Sequence, residues 1–299
     1  MIFISHNSRA AGALAGLAVG DAFGAPYEGF LPPRHGIPKL SSGGIFGVTM
    51  GEFTDDTEQA LALAGSLIKC GYFDPIDVMR NLISAYTTNP RFYGPTSSSV
   101  FTRVQNGRAP LDVSRELYES GGGRTNGSVM RGTPLGIFYP PDEVWNVSIA
   151  CSRLTHYHPV ACECSAVVNT MISCLCRGAG REEAYAYALG NVTIAELRGV
   201  LSDLQKFPLT PSLDALAATH CAVALFLAND TYQRTVSAAI MLGGDTDTIA
   251  AIAGAMAGAY QGLNGIPAQW LFNIRRIHEI IDMALCLDIL RRDGRSDRW

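Results

Sequence analysis

Ala250-Ala-Ile-Ala-Gly-Ala-Met-Ala-Gly258 is apolar on every side, carries no charge, and uses alanine or glycine at seven of its nine positions. A helix that is hydrophobic all round belongs at the centre of a large helical domain, and small side chains let its neighbours come close. A second stretch, Ala13-Leu-Ala-Gly-Leu-Ala-Val-Gly20, has the same character. Around this pair, Ser8–Phe23, Ile76–Tyr86, Leu111–Tyr118, Val129–Phe138, Val144–Leu154, Pro159–Cys176, Glu182–Leu189, Ile194–Leu204, Leu213–Leu227, Tyr232–Leu242 and Ala268–Leu290 all fit a period of 3.6 better than a period of 2. No alternating β-branched run bounded by hairpin turns is present, so the sequence predicts an all-α fold. No composition shift, repeat or low-complexity tract divides it, and one compact multi-helix domain over residues 1–299 is expected. The longest irregular stretch is Gly29–Glu52, with Pro32, Pro33 and Pro38.

The chain has 299 residues, 47% of them hydrophobic and only 17% charged, which is ample for a large core. A net charge of −4 offers no basic footprint for duplex nucleic acid or an anionic membrane. The apolar segment Ala10–Val19 is too short to span a bilayer, and Met1–Arg9 holds a single basic residue, so neither a spanning helix nor a signal peptide is expected and the location expected is cytoplasmic. Cys162, Cys164, Cys174 and Cys176 have a spacing open to zinc ligation, but the intervening run is helical without a turn, and residues two apart on a helix face different ways. They read as small buried hydrophobes.

Two acidic turns lead directly into apolar helices: Thr54-Asp55-Asp56-Thr57, and Gly243-Gly244-Asp245-Thr246-Asp247-Thr248 about 190 residues later. Helix capping explains one oxygen in each. The surplus of carboxylates and hydroxyls, with almost no lysine or arginine beside them, suits a hard divalent cation, Mg²⁺ or Mn²⁺, better than Zn²⁺. Other polar segments sit at helix junctions. Gly20-Asp-Ala-Phe-Gly-Ala-Pro-Tyr-Glu28 ends in a glutamate that reads either as a ligand or base near such a cation or as an exposed loop carboxylate. Gly121-Gly-Gly-Arg-Thr-Asn-Gly-Ser-Val-Met-Arg131 is a glycine loop able to approach a phosphate, but it lacks the lysine and hydroxyl of a P-loop. In Leu154-Thr-His-Tyr-His-Pro159 the two histidines read as hydrogen-bonding or capping groups.

Together, and in this order, these segments resemble the motifs of the ADP-ribosylglycohydrolase family: Gly20–Glu28, Gly51–Thr57, Asn126–Arg131, Leu154–Pro159 and Gly243–Thr248, with Gly43-Gly44 and Gly265-Ile-Pro-Ala-Gln-Trp270 as weaker matches. The resemblance implies an all-α domain with a dinuclear metal cleft that removes ADP-ribose from a modified protein or small-molecule acceptor. It implies two Mg²⁺ or Mn²⁺ held by Thr54, Asp55, Asp56, Asp245, Asp247 and Thr248, with Glu28, Asp55 and Asp56 catalytic. Gly122, Gly123, Asn126, Gly127 and Ser128 would hold the ADP-ribose and His156 its ribose. Arginine-linked ADP-ribose is the substrate this implies first. O-linked (serine) or small-molecule ADP-ribosyl substrates, or a non-catalytic ADP-ribose-binding or structural role, are the alternatives. Arg124 reads as a phosphate contact or as solvated, and Tyr157 and Tyr232 as candidates for stacking on the adenine.

Overall fold

A computed structural model describes residues 8–31 and 38–292. Pro32, Pro33, most of Met1–Arg9 and the last residues of the expected 1–299 domain lie outside the described residues. The helices are α1 (Arg9–Gly24), α2 (Asp55–Cys70), α3 (Pro75–Thr88), α4 (Pro95–Gln105), α5 (Pro110–Glu119), α6 (Thr133–Phe138), α7 (Pro141–Arg153) and α8 (Pro159–Cys176). They continue with α9 (Arg181–Gly190), α10 (Ala195–Leu201), α11 (Ala215–Ala228), α12 (Tyr232–Ile240), α13 (Thr246–Gln261), α14 (Ala268–Leu271) and α15 (Ile277–Arg292). Among the described residues there is no β-strand, only isolated bridges such as Gly43 with Val48. One hydrophobic cluster runs from Ala10 to Leu287 through nearly all of these elements.

The centre is an antiparallel pair, α1 against α13. Every residue of α1 from Ala10 to Gly24 is buried, and so is every residue of α13 from Thr246 to Ala259. Glycines at four-residue intervals bring the two backbones together, because positions four apart share a helix face. A Cβ on Gly12 would lie 2.3 Å from the Gly258 carbonyl oxygen, one on Gly16 2.4 Å from that of Gly254, and one on Gly20 2.1 Å from that of Ala250. At Gly24 it would lie 2.4 Å from the Asp247 Cα. The glycine row therefore ends at the second acidic turn, and it delivers the C-terminus of α1 to the N-terminus of α13.

Two helices differ from the sequence expectation. The run Ala268–Leu290 is broken into α14 and α15, because residues 272–276 turn against the Gly51 loop, where the Arg275 amide donates to the Gly51 carbonyl at 3.0 Å. Arg276 takes a positive φ of 57° there, a conformation costing about 1–2 kcal/mol in a non-glycine residue that tertiary contact must outweigh. The run Val129–Phe138 follows a 3₁₀ turn at Asn126–Ser128, is non-helical from Val129 to Gly132, and becomes α-helical only at Thr133. Helix α4 has no apolar period strong enough to be read from sequence, since its first turns are Pro95-Thr-Ser-Ser-Ser; Pro95 at its first position was the available signal.

All eight cysteines are free thiols, and those of α8 at 162, 164 and 174 are buried, as core residues should be. α8 is long and apolar enough to cross a membrane, but nearly all of it is packed inside the fold.

Candidate active site

The two acidic turns meet. Gly243 and Gly244 both take a positive φ, and the Gly244 turn is tied to the segment after α1 by Gly29 N–H to Gly244 O (2.8 Å) and Gly244 N–H to Phe30 O (3.0 Å). Thr246 Oγ1 adds a bond to the Gly24 carbonyl at 2.9 Å. These contacts place Glu28, Asp245 and Asp247 beside the first turn of α2.

Neither turn caps its own helix by a side chain: Thr54 before α2 and Asp245 before α13 make no such bond. The cap of α2 comes from Asp21 of α1. Its carboxylate accepts from the Thr54 amide (2.9 Å), the Thr57 amide (3.0 Å), Thr54 Oγ1 (2.9 Å) and Thr57 Oγ1 (2.6 Å). With the Thr54 and Thr57 amides satisfied from outside, the Asp55 and Asp56 side chains are left for other work. Asp21 sits inside the Gly20–Glu28 segment, yet it was not recognisable as a site residue, because its role depends on a contact 33 residues away.

A cavity of about 270 Å³ opens over these groups. Its floor is Glu28, Asp55, Asp56, Asp245, Asp247 and Thr248; Asn126, Gly127, Thr125 and His156 form one wall, and Phe92 to Ser97 with Phe46 form the other. Thr54 lies just beneath, its hydroxyl 2.9 Å from Asp21, 3.3 Å from Asp56 and 3.5 Å from Asp247. One hydroxyl proton can serve only one of these carboxylates. Asp55 Oδ2 accepts from Gln59 Nε2 at 2.8 Å, and Asp245 Oδ2 from Asn126 Nδ2 at 2.6 Å. Two groups of carboxylate oxygens, Asp21 with Asp56 and Asp247, and Glu28 with Asp245 and Asp247, each lie within 4.8 Å of one another.

The electrostatics are those of an acidic site awaiting positive charge. Burial pushes the Asp21 carboxyl up to about 6 against the pull of the Thr57 and Thr54 donors. Burial and then the Asp245 charge push Glu28 up to about 7. Burial first, then neighbouring carboxylates, hold Asp55, Asp56 and Asp247 well above the usual range. Glu28 Oε2 and Asp56 Oδ1 are buried without any hydrogen-bond partner. Orphaned carboxylate oxygens in so acidic a cluster are what a hard divalent cation would satisfy, so the donor set fits Mg²⁺ or Mn²⁺. Asp21 belongs to one oxygen group, while Asp55 belongs to neither.

His156 is fully buried, and burial together with the Arg131 charge takes its imidazole down to about 3, so it is neutral. A Cβ on Gly127 would lie 2.9 Å from the His156 ring, so only glycine lets the Asn126 loop pass this close. Gly122, Gly123 and Ser128 do not line the cavity: Ser128 Oγ accepts from Ser152 Oγ at 2.7 Å, and the two glycines lie where the chain turns into the Asn126 loop. Arg124 is not among the residues that line the cavity, and it is not free in solvent. It pairs with Glu196 (2.7 Å) and Asp214 (2.7 Å) and pins the loop to the start of α11. Tyr232 is buried with its hydroxyl on the Gly16 carbonyl (2.7 Å), which rules out adenine stacking, and Tyr157 packs under Arg115 and Arg153 outside the cavity. His158 caps α8 by accepting from the Val160 amide. The 92–97 wall was not legible in the sequence; an Asn-Pro-Arg-Phe-Tyr-Gly-Pro stretch reads only as a loop.

Comparison with known proteins agrees with this geometry. A family profile described as ADP-ribosylglycohydrolase matches residues 4–297. Over 301 residues the chain is 30% identical to the ADP-ribosyl-dinitrogen reductase glycohydrolase of Rhodospirillum rubrum, covering 95% of this chain and 97% of that one. It is 29% identical to the ADP-ribosylarginine hydrolase Tri1 of Pseudomonas putida (strain GB-1), covering 92% and 76% respectively. A solved structure titled as an ADP-ribosylglycohydrolase-related protein complex superposes with a TM-score of 0.84 at 31% identity, over 95% of this chain and 98% of that chain.

Proposed function

The chain belongs to the ADP-ribosylglycohydrolase family and is a hydrolase of ADP-ribosyl glycosidic bonds, and from that premise we propose that it frees arginine side chains of a modified protein from ADP-ribose with the help of two Mg²⁺ or Mn²⁺ ions. The observation that carries the reading is the acidic floor: five carboxylates line one cavity with no lysine or arginine among its lining residues. Such a cavity favours a cationic leaving group, and a guanidinium bonded to the anomeric carbon is one. The Pseudomonas relative named as an ADP-ribosylarginine hydrolase supports the same choice.

Asp21, Asp56 and Asp247 on one side and Glu28, Asp245 and Asp247 on the other would hold the cations, with Thr54, Asp55 and Thr248 adjoining. When bound, the cations supply positive charge that orients ribose hydroxyls and a water molecule. Cleavage passes through an oxocarbenium-like state, whose positive charge nearby carboxylates stabilise. Asp55 faces the cavity and is held by Gln59 for that task. Glu28, which lines the cavity beside Asp245 and Asp247, takes the proton of the attacking water. The bond from the anomeric carbon to the guanidine nitrogen breaks, and the neutral guanidine leaves and takes up a proton. Asn126, Gly127 and His156 hold the ADP-ribose against the wall, and Gly122, Gly123 and Ser128 shape the loop that presents them.

Incubation with arginine-linked and serine-linked ADP-ribosyl peptides, in Mg²⁺, Mn²⁺ or EDTA, tests this by measuring free ADP-ribose. Release from the arginine-linked peptide that stops in EDTA is expected. Release unaffected by EDTA removes the cation assignment, and release from the serine-linked peptide alone removes the linkage.

A further inference from the structure

Arg131 is the only buried lysine or arginine among the described residues, and it touches neither solvent nor a carboxylate. Its Nη1 donates to Gln59 Oε1 at 2.9 Å, and its Nη2 to Thr155 Oγ1 at 2.8 Å and the Cys151 carbonyl at 3.2 Å. Its Nε has no partner. A buried cation with an unmet donor is a poor stabiliser compared with an apolar side chain of similar size, so stability alone does not account for it.

A guanidinium can only donate, and that fixes which atom of each partner faces it and biases the bonds beyond. Gln59 must turn its oxygen to Arg131, so its Nε2 faces Asp55 Oδ2. Thr155 Oγ1 accepts from Arg131, which leaves its proton for His156 Nδ1, 2.7 Å away. On the far side of the ring, His156 Nε2 lies 3.0 Å from Thr125 Oγ1, whose own proton goes to Thr96 Oγ1 at 3.0 Å. With Thr125 so directed, Nε2 carries its own hydrogen. Both neighbours of His156 then fit the same tautomer, with Nδ1 bare and Nε2 protonated. His156, Thr125 and Thr96 all line the cavity.

We propose that Arg131 is a positioning residue that sets hydrogen-bond direction in two arms, one presenting the Gln59 amide to Asp55 and the other holding His156 as an Nε2–H donor, which Thr125 Oγ1 accepts here and bound ADP-ribose would take over. The ligand part rests on the function proposed above; the tautomer part does not. One buried cation thereby orients groups on the acidic floor and on the opposite wall.

The test uses full-length protein labelled with ¹⁵N-histidine and a long-range ¹H–¹⁵N correlation, with the His156 signal identified by its loss in His156→Gln. The wild type should show a bare Nδ1 and a protonated Nε2. Thr155→Val, nearly isosteric but without the hydroxyl, should give a tautomer mixture, and Thr155→Ser should restore the single form. Arg131→Met should also give a mixture; if it does not fold, the Thr155 pair decides. In calorimetry with free ADP-ribose and Mg²⁺, Thr155→Val should bind about threefold to tenfold more weakly, the scale of one neutral hydrogen bond, and Thr155→Ser normally. A wild-type His156 protonated at Nδ1, or a folded Thr155→Val that keeps the pure Nε2–H form, overturns the relay. A changed tautomer with unchanged ADP-ribose affinity overturns its use by the ligand. If the wild type shows the expected tautomer yet binds no ADP-ribose, the function proposed above fails while the relay stands.

Discussion

Asp55 and Asp247 reach the same cavity from turns on different helices, and each is buried. Asp55→Asn and Asp247→Ala should each lower ADP-ribose release by about 100-fold or more, the scale seen when one preorganised electrostatic group is lost. Steady-state release from an arginine-linked peptide, with circular dichroism to confirm folding, checks this; near-wild-type turnover in either variant would exclude that carboxylate. At this scale the acidic turns were legible as an oxygen-rich pair, while Glu28, Asn126 and His156 were singled out through the family resemblance. Asp21 was not, because a carboxylate inside an apolar helix shows its purpose only when the first turn of α2 is brought to it. The same holds for Arg131 and Gln59, whose partners lie 72 residues apart.

The helices differ in how much room they leave. Gly258 packs its Cα against the Gly12 carbonyl, and an added Cβ would sit 1.9 Å from that oxygen, backbone that cannot move aside cheaply. Gly65 in α2 is also helical, but a Cβ there would meet only Met283 at 3.8 Å and Asn81 at 3.9 Å. Gly258→Ala should therefore destabilise the protein by about 3 kcal/mol or more through overpacking. Gly65→Ala should stabilise it by about 0.5–1 kcal/mol through reduced freedom of the unfolded chain and better helix propensity. Urea unfolding of both variants separates these outcomes, and equal effects would mean that the α1–α13 contact is looser than its geometry. Long periodic helices such as α1, α8 and α13 could be read from sequence because burial on every side leaves an unmistakable pattern. α4 and the break between α14 and α15 could not, since serine-rich turns and a positive φ at Arg276 are imposed by neighbours.

Across the whole molecule, the acidic floor couples folding to protons and to cations. In the cation-free protein Asp21 and Glu28 rise from 3.8 and 4.5 to about 6 and about 7, so the folded chain keeps protons that the unfolded chain has released. Stability then falls as pH rises, because the native state binds more protons than the unfolded one between these values. The EDTA-treated protein should melt lower at pH 7.5 than at pH 5, and Mg²⁺ or Mn²⁺ should raise Tm more at pH 7.5, where the carboxylates are ionised and cation binding adds to native stability. Differential scanning calorimetry at the two pH values checks it, and a cation effect that is absent or larger at pH 5 would contradict it. By itself the sequence determined the all-α class, the central small-residue helices, the family and the residue types of an oxygen-rich site, because these depend on local periodicity and on motifs of adjacent residues. Only the tertiary structure decided that Asp21 caps α2 from α1, that Phe92 to Ser97 form a wall, that Arg124 pins a loop through Glu196 and Asp214, and that Tyr232 is core. Those roles depend on distances between segments far apart in the chain, and they follow from a row of glycines that lets two backbones touch and carries one acidic turn to the other.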